Sequence, residues 1–315
     1  MKIIIPKGIK AGHYNDNFTG LTVFISEKGC IGGVDVKGNA PATRETDLLR
    51  PEKAVEKINA IFLSGGSAYG LESACGIMNF LREKQIGFKL GKKVVPIVCG
   101  ACLYDLNTAE YHYPDTKMGY NACVNAFDGV FSLGQSGAGK GATVGKIRGI
   151  SNATKSGIGG ATIKIAGVTV TAIVAVNALG DVIEPFSDKI LAGAKAKDGS
   201  FINTEKCIAE NKLLKLAAGT NTTIGCILTN AKLSKLEANK LSSAAHDGYA
   251  RVIRPVHTDY DGDAIFTLAT GKVPVINFTL LQTAAVRAIE EAIINAVSNV
   301  DNLEIIFDKT EEDKE

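Results

Sequence analysis

Four stretches of this chain are too uniformly apolar to lie with one face in water and too short to cross a membrane. They are Ile58–Ser64, Val168–Val176, Thr223–Thr229 and Ala264–Ala269. Each fits a buried strand, and none approaches the roughly 20 apolar residues that a spanning helix needs. Helical patterns lie among them. Tyr69–Lys84 carries Leu71, Ala74, Cys75, Met78 and Leu81 on one stripe. Lys232–Tyr249 shows a broad face with Leu233, Leu236, Leu241 and Ala244, and Leu280–Val297 turns Leu281, Ala285, Ala288 and Ile289 to one side. Ala161–Ile165 reads as a further strand, joined to Val168–Val176 by a turn at Ala166-Gly167. Pro185–Ala218 reads as a mixed helical connector and Asp308–Glu315 as a frayed charged tail. Strands and long amphipathic helices without a regular βαβ beat predict a layered α+β domain spanning residues 1–315, not a doubly wound sheet.

Composition removes several function classes. With 45% hydrophobic and 22% charged residues, the chain is not predominantly disordered. Lys plus Arg is 35 against 33 for Asp plus Glu, so the basic excess of a nucleic-acid binder is missing and no nucleic-acid partner is expected. The apolar run Met1–Pro6 is too short for a signal peptide, and seven cysteines is an odd number. Both features point to reduced thiols in the cytoplasm, with no membrane partner. Cys99-Gly100-Ala101-Cys102 is one CxxC without a second, and His13, His112, His246 and His257 show no ligand spacing. No metal or cofactor is expected, and the two thiols read as core fillers after a strand Val94–Val98.

Three motifs come close to known chemistry and miss. Gly134–Gly141 nearly spells a phosphate-binding loop, but Gly141 stands where a Ser or Thr must hold magnesium. It reads better as a glycine-rich turn whose backbone N–H groups face a site. Gly65-Gly66-Ser67-Ala68-Tyr69 resembles a nucleophile elbow with Tyr69 in place of the last glycine. Asp181 and His257 follow Ser67 in triad order, so a Ser67 hydrolase stays as an alternative, as does a non-catalytic metabolite binder. His257, two residues after Pro255, reads as a structural histidine.

The segment Ala217–Leu228 runs from a small polar loop into an apolar strand and contains Asn221-Thr222-Thr223. It is either an ordinary junction or a processing site. A threonine hydroxyl is a poor nucleophile without a base. Cleavage before Thr222 would give that residue its own α-amine, with a pKa of about 7.7–8.0, so nucleophile and base would share one residue. Asp261-Gly262-Asp263 sits before the strand Ala264–Ala269, as a solvated turn or as carboxylates that tune an amine. Asn177, at the end of Val168–Val176, is either a turn residue or an oxyanion donor.

Together these pieces resemble the DmpA-like peptidases, self-cleaving N-terminal-nucleophile hydrolases that include β-peptidyl and D-aminopeptidases and the endo-type nylon-oligomer hydrolase. The resemblance rests on Gly8–His13, Ala42–Leu49, Leu63–Leu71, Val95–Val98, Tyr104-Asp105-Leu106, Gly137–Lys146, Asn221–Gly225, Asp261-Gly262-Asp263 and Leu268–Gly271, in that order along nearly the whole chain. It implies a four-layer αββα sandwich with the N-terminal-nucleophile fold, autocleaved between Asn221 and Thr222 into chains 1–221 and 222–315. It implies Thr222 as nucleophile, Asn177 in the oxyanion hole, Lys146 near the threonine, and Asp261 and Asp263 tuning the amine. Tyr104, Ala142 and Ser67 are expected to line the substrate pocket. Asp-Gly-Asp, where the β-aminopeptidase branch has Ser-Gly-acid, leans toward the threonine branch. The implied substrate is a small peptide or ω-amino amide, and the implied assembly is a homo-oligomer of processed heterodimers.

Overall fold

The computed structural model describes residues 2–107, 109–210, 220–298 and 304–308. Nine strands form the main sheet: β1 (Lys10–Asn15), β2 (Gly20–Val36), β3 (Ala42–Arg44), β4 (Lys57–Ser64), β5 (Val98–Cys102), β6 (Ile158–Ile165), β7 (Val168–Asn177), β8 (Thr222–Lys232) and β9 (Ala264–Pro274). Their order is β6-β7-β8-β9-β2-β4-β5-β3, with β1 also paired to β2. β2 is the hinge of the arrangement. Its first half, Leu21–Ile25, pairs with β1 and β4, and its second half, Ile31–Val36, pairs with β9; the register shifts between Ile25 and Cys30. One long strand thereby divides the sheet into two halves.

Alternation along each strand then builds the layers. Ile224, Cys226 and Leu228 of β8 share a core with Phe24 of β2 and Ile61 and Leu63 of β4, so the two half-sheets face each other. The opposite face of one half, with Ala172, Val174 and Ile227, packs on helices α3 (Lys235–Val252) and α4 (Phe278–Val297). The opposite face of the other, with Val23, Ala60 and Phe62, packs on α1 (Ser73–Glu83) and α2 (Thr116–Phe127). The result is helix, sheet, sheet, helix: the expected four-layer sandwich. Glycine sets the spacing of a layer at β6, where a Cβ on Gly159 would come within 1.9 Å of the Ala292 carbonyl oxygen of α4.

Several boundaries differ from the sequence reading. Tyr69–Lys84 opens as a 3-10 turn, Ser67–Glu72, before α1 begins. Lys232 ends β8, and α3 starts three residues later behind a capping box of Ser234 and Glu237. Cys99 and Cys102 lie within β5 rather than after a strand Val94–Val98, because Pro96 interrupts that segment and cannot donate a ladder bond. Burial pushes both thiols upward, as inert core groups. The connector is mostly short strands: Ala194–Lys195 pairs with Phe201–Ile202 around a turn with Gly199 at φ 86°, and one helix, Thr204–Ala209, follows the Asn203 cap. The rest of that connector, 211–218, and the tail from 309 lie outside the described residues. Among the described residues, no helix is long and apolar enough to cross a membrane, and no cluster of His, Cys, Asp and Glu could hold a metal ion.

Candidate active site

Strand pairing brings the candidate residues to one end of the sandwich. β7 ends at Asn177 and β8 begins at Thr222, and the antiparallel register sets these two residues opposite each other. β8 and β9 run parallel, so the turn leading into β9 lies beside the start of β8, and Asn221 bridges Asp261. Thr222 is therefore a buried strand start, only 2% exposed.

The hydroxyl of Thr222 donates to the carbonyl oxygen of Asn221. The same oxygen accepts the Gly262 N–H at 2.9 Å. Asp263 accepts the Thr223 N–H through Oδ1 at 2.7 Å, while its Oδ2 meets His257 Nδ1 at 2.8 Å. Asp261 accepts the backbone N–H groups of Leu179 and Thr258 and the Thr258 hydroxyl. Both carboxylates are buried, so the Asp-Gly-Asp segment is not a solvated turn.

Asn177 is the hub. Its Oδ1 accepts from the Thr143 N–H at 3.1 Å and from Lys146 Nζ at 2.7 Å, and its Nδ2 donates to the Tyr104 carbonyl at 2.8 Å. Lys146 Nζ also donates to the Asn177 carbonyl at 2.8 Å and the Thr220 carbonyl at 3.3 Å. Burial pulls the Lys146 ammonium down to about 7, against the upward pull of Asp261, Asp105 and Asp263. Asp261 is pushed up to about 6, first by burial and then by the neighbouring charge of Asp263. Asp105 also rises to about 6 through burial, although the Gly66 N–H at 2.7 Å favours its charged form.

Tyr104, Ala142 and Ser67 fall around this core with different parts to play. Tyr104 contributes its carbonyl to Asn177, while its hydroxyl turns to the Leu106 carbonyl at 3.3 Å. Ala142 is buried, and its N–H is held by the Gly139 carbonyl at 3.3 Å. Ser67 sits at φ 52° with its N–H on the Leu103 carbonyl, one residue from Tyr104. The triad drawn through Ser67 is not assembled. His257 is engaged by Asp263, and the carboxylate of Asp181 accepts from Ala194 and Thr204. The glycine-rich turn is also committed internally: Gly137 and Ala138 donate to Asn15 and Thr22, and Gly139 and Lys140 donate back within the turn.

Sequence reasoning missed two groups. Asp105 appeared only inside a motif, although its charge acts on Lys146; its sole signal was its place next to Tyr104. His257 read as structural, yet it holds Asp263. Its link could not be seen until the loop after Pro255 placed it at φ 56° beside the Asp-Gly-Asp turn.

A family model for peptidase family S58 matches residues 6–309. The chain belongs to peptidase family S58. It is 38% identical over 290 residues to an uncharacterized aminopeptidase of Mycobacterium leprae, covering 84% of this chain and 77% of that protein. It is 28% identical over 305 residues to a 6-aminohexanoate-oligomer endohydrolase of Agromyces sp., covering 91% of this chain and 83% of that enzyme. The solved L-aminopeptidase D-Ala-esterase/amidase of Ochrobactrum anthropi, described as a variant of the Ntn hydrolase fold, superposes with a TM-score of 0.62 at 16% identity, covering 92% of this chain and 84% of that one. This S58 member therefore has the N-terminal-nucleophile hydrolase fold and is a hydrolase of amide bonds.

Proposed function

We propose that this S58 chain is an autoprocessing amide hydrolase whose nucleophile is Thr222, released as a new N-terminus by cleavage after Asn221. The observation that carries this reading is the buried Thr222 hydroxyl on the carbonyl of its own preceding residue, framed by Asn177, Lys146 and the Asp-Gly-Asp turn. A hydroxyl in that position is placed for an N→O acyl shift. Oγ forms a bond to the Asn221 carbonyl carbon, the C–N bond breaks, and the nitrogen takes up a proton. Water then hydrolyses the ester to give chains 1–221 and 222–315.

The first cut needs a base, because the nitrogen of Thr222 is still an amide. Lys146, at about 7, is neutral often enough near physiological pH to take the hydroxyl proton. After the cut, the α-amine of Thr222 serves as base for substrate. Its hydroxyl attacks the substrate amide, and the second Nδ2 hydrogen of Asn177 stabilises the oxyanion. The amine protonates the leaving group, and water releases the acyl-enzyme. No step requires a metal or organic cofactor. The names of the mycobacterial and Agromyces relatives support a small peptide or ω-amino amide oligomer as the substrate class.

Denaturing gels of the purified protein should show two fragments, the smaller beginning Thr-Thr-Ile-Gly by N-terminal sequencing. Thr222→Ala should give one band and no turnover, and Thr222→Ser should retain part of both reactions. Hydrolysis of substrate by Thr222→Ala would remove Thr222 from the mechanism.

A further inference from the structure

Self-cleavage and substrate hydrolysis each generate an oxyanion, and the geometry separates the groups that meet them. We propose that the backbone N–H of Gly262 is the oxyanion donor for the self-cleavage step; this rests on the Thr222 reading above. Among the described residues, two donors reach the Asn221 carbonyl oxygen: the Thr222 hydroxyl and the Gly262 N–H at 2.9 Å. Attack turns that hydroxyl into the bond-forming oxygen, and its proton leaves for Lys146. The Gly262 N–H then remains to face the charge that the carbonyl π pair places on oxygen. When the tetrahedral carbon collapses, the C–N bond breaks, the proton is delivered to nitrogen, and the Asn221 acyl group rests on Oγ as an ester.

The donor is held from behind. Ala40 N–H donates to the Asp261 carbonyl at 3.0 Å, and Lys37 and Gly38 N–H groups donate to the Asp263 carbonyl at 3.0 and 3.2 Å. Residues 37–40 thus clamp both ends of the three-residue turn, so its central amide cannot swing away as charge develops. Glycine is required at this point by space. A Cβ at residue 262 would lie 2.5 Å from the Ala40 carbonyl oxygen and 2.9 Å from Thr222 Oγ1. The middle residue of Asp-Gly-Asp therefore lets a backbone amide approach the scissile carbonyl, while the flanking carboxylates hold Thr223 and Leu179. Asn177, whose Oδ1 is committed to Thr143 and Lys146, is assigned to the second reaction.

The test replaces residue 262 with glycolic acid by stop-codon suppression in the full-length chain. The amide becomes an ester, which removes the N–H and adds no side chain. First-order conversion to fragments, followed by mass spectrometry after cell-free synthesis, should slow by on the order of 10²–10³. The loss should exceed by at least about tenfold any loss of turnover per mole of exposed Thr222 N-terminus. Cleavage within about threefold of the unmodified chain, or equal losses in both reactions, would overturn the assignment. A second measurement needs no change at residue 262. In uncut Thr222→Ala, NMR should detect scalar coupling across the hydrogen bond from the Gly262 nitrogen to the Asn221 carbonyl carbon, and its absence would also overturn it. If the unmodified chain is never cut before Thr222, the parent reading fails; if it is cut and the ester variant is cut as fast, only the Gly262 assignment fails.

Discussion

Lys146 provides the sharpest quantitative handle on the proposed self-cleavage. Its Nζ has three acceptors, the Asn177 carbonyl, Asn177 Oδ1 and the Thr220 carbonyl, and these suit an ammonium. Loss of one proton gives up one of these bonds, and the longest, at 3.3 Å, points to Thr220, two residues before the proposed nucleophile. The group acts as base only when neutral, so the self-cleavage rate should rise with pH and level off above its pKa. With a pKa of about 7, the neutral fraction is about 3% at pH 5.5 and about 90% at pH 8, so the rate should increase about thirtyfold across that interval. A lysine at its ordinary value of 10.5 would be under about 1% neutral at pH 8, and its rate would still climb about tenfold per pH unit there. Precursor from cell-free synthesis, shifted into buffers from pH 5 to 9 and sampled by mass spectrometry, distinguishes the two profiles. Lys146→Arg keeps the cation and removes the accessible base, so the plateau should collapse. A flat profile between pH 5.5 and 8, or normal cleavage in Lys146→Arg, would refute the role given to Lys146.

Two further substitutions test the surroundings. Asn177→Ala removes both the proposed oxyanion donor and the Oδ1 that holds Lys146, so turnover per matured molecule should fall by on the order of 10²–10³ while KM changes much less; steady-state kinetics normalised to N-terminal threonine would read this. Gly159→Ala forces a Cβ against the Ala292 carbonyl at 1.9 Å and should lower stability by about 1–3 kcal/mol, measurable by urea unfolding of the full chain.

How much of this was legible in the sequence depends on the range of the interaction. The strands Ile58–Ser64 and Val168–Val176 were readable because burial on both faces leaves uninterrupted apolar runs, and both emerge within a residue of their expected limits. The start of α1 was not, because Ser67 and Gly66 adopt positive φ and turn the chain through a 3-10 segment first. The connector failed for a related reason: Gly199, at φ 86°, is a turn signal that a search for helical periodicity passes over. At the site, Asn177 and Thr222 each stood at a strand end in the sequence, but nothing local says that β7 and β8 are paired in the register that sets them face to face. The contribution of Asp105 was invisible because its effect on Lys146 is electrostatic and needs no sequence motif. Periodicity carried the layers, and long-range pairing carried the chemistry.

The charges in the site also bear on why cleavage should activate it. Before the cut, one buried cation, Lys146, faces Asp105, Asp261 and Asp263, and two of these carboxyls are pushed up to about 6 because burial leaves their charge poorly compensated. The proposed cut would create an α-ammonium on Thr222, directly before the residue whose N–H already binds Asp263. A positive charge there relieves the excess of carboxylate, so the site favours the product of its own cleavage. The same carboxylates would by themselves raise the new amine above its usual 7.7–8.0 and slow its action as a base near neutrality. While it is charged, Lys146 opposes that rise as a nearby like charge, and the new ammonium in turn holds the lysine, already lowered by burial, further down. Replacing Lys146 with methionine should therefore shift the acid limb of turnover, in whatever fraction matures, toward higher pH. An unmoved limb would show that the lysine and the amine do not sense each other.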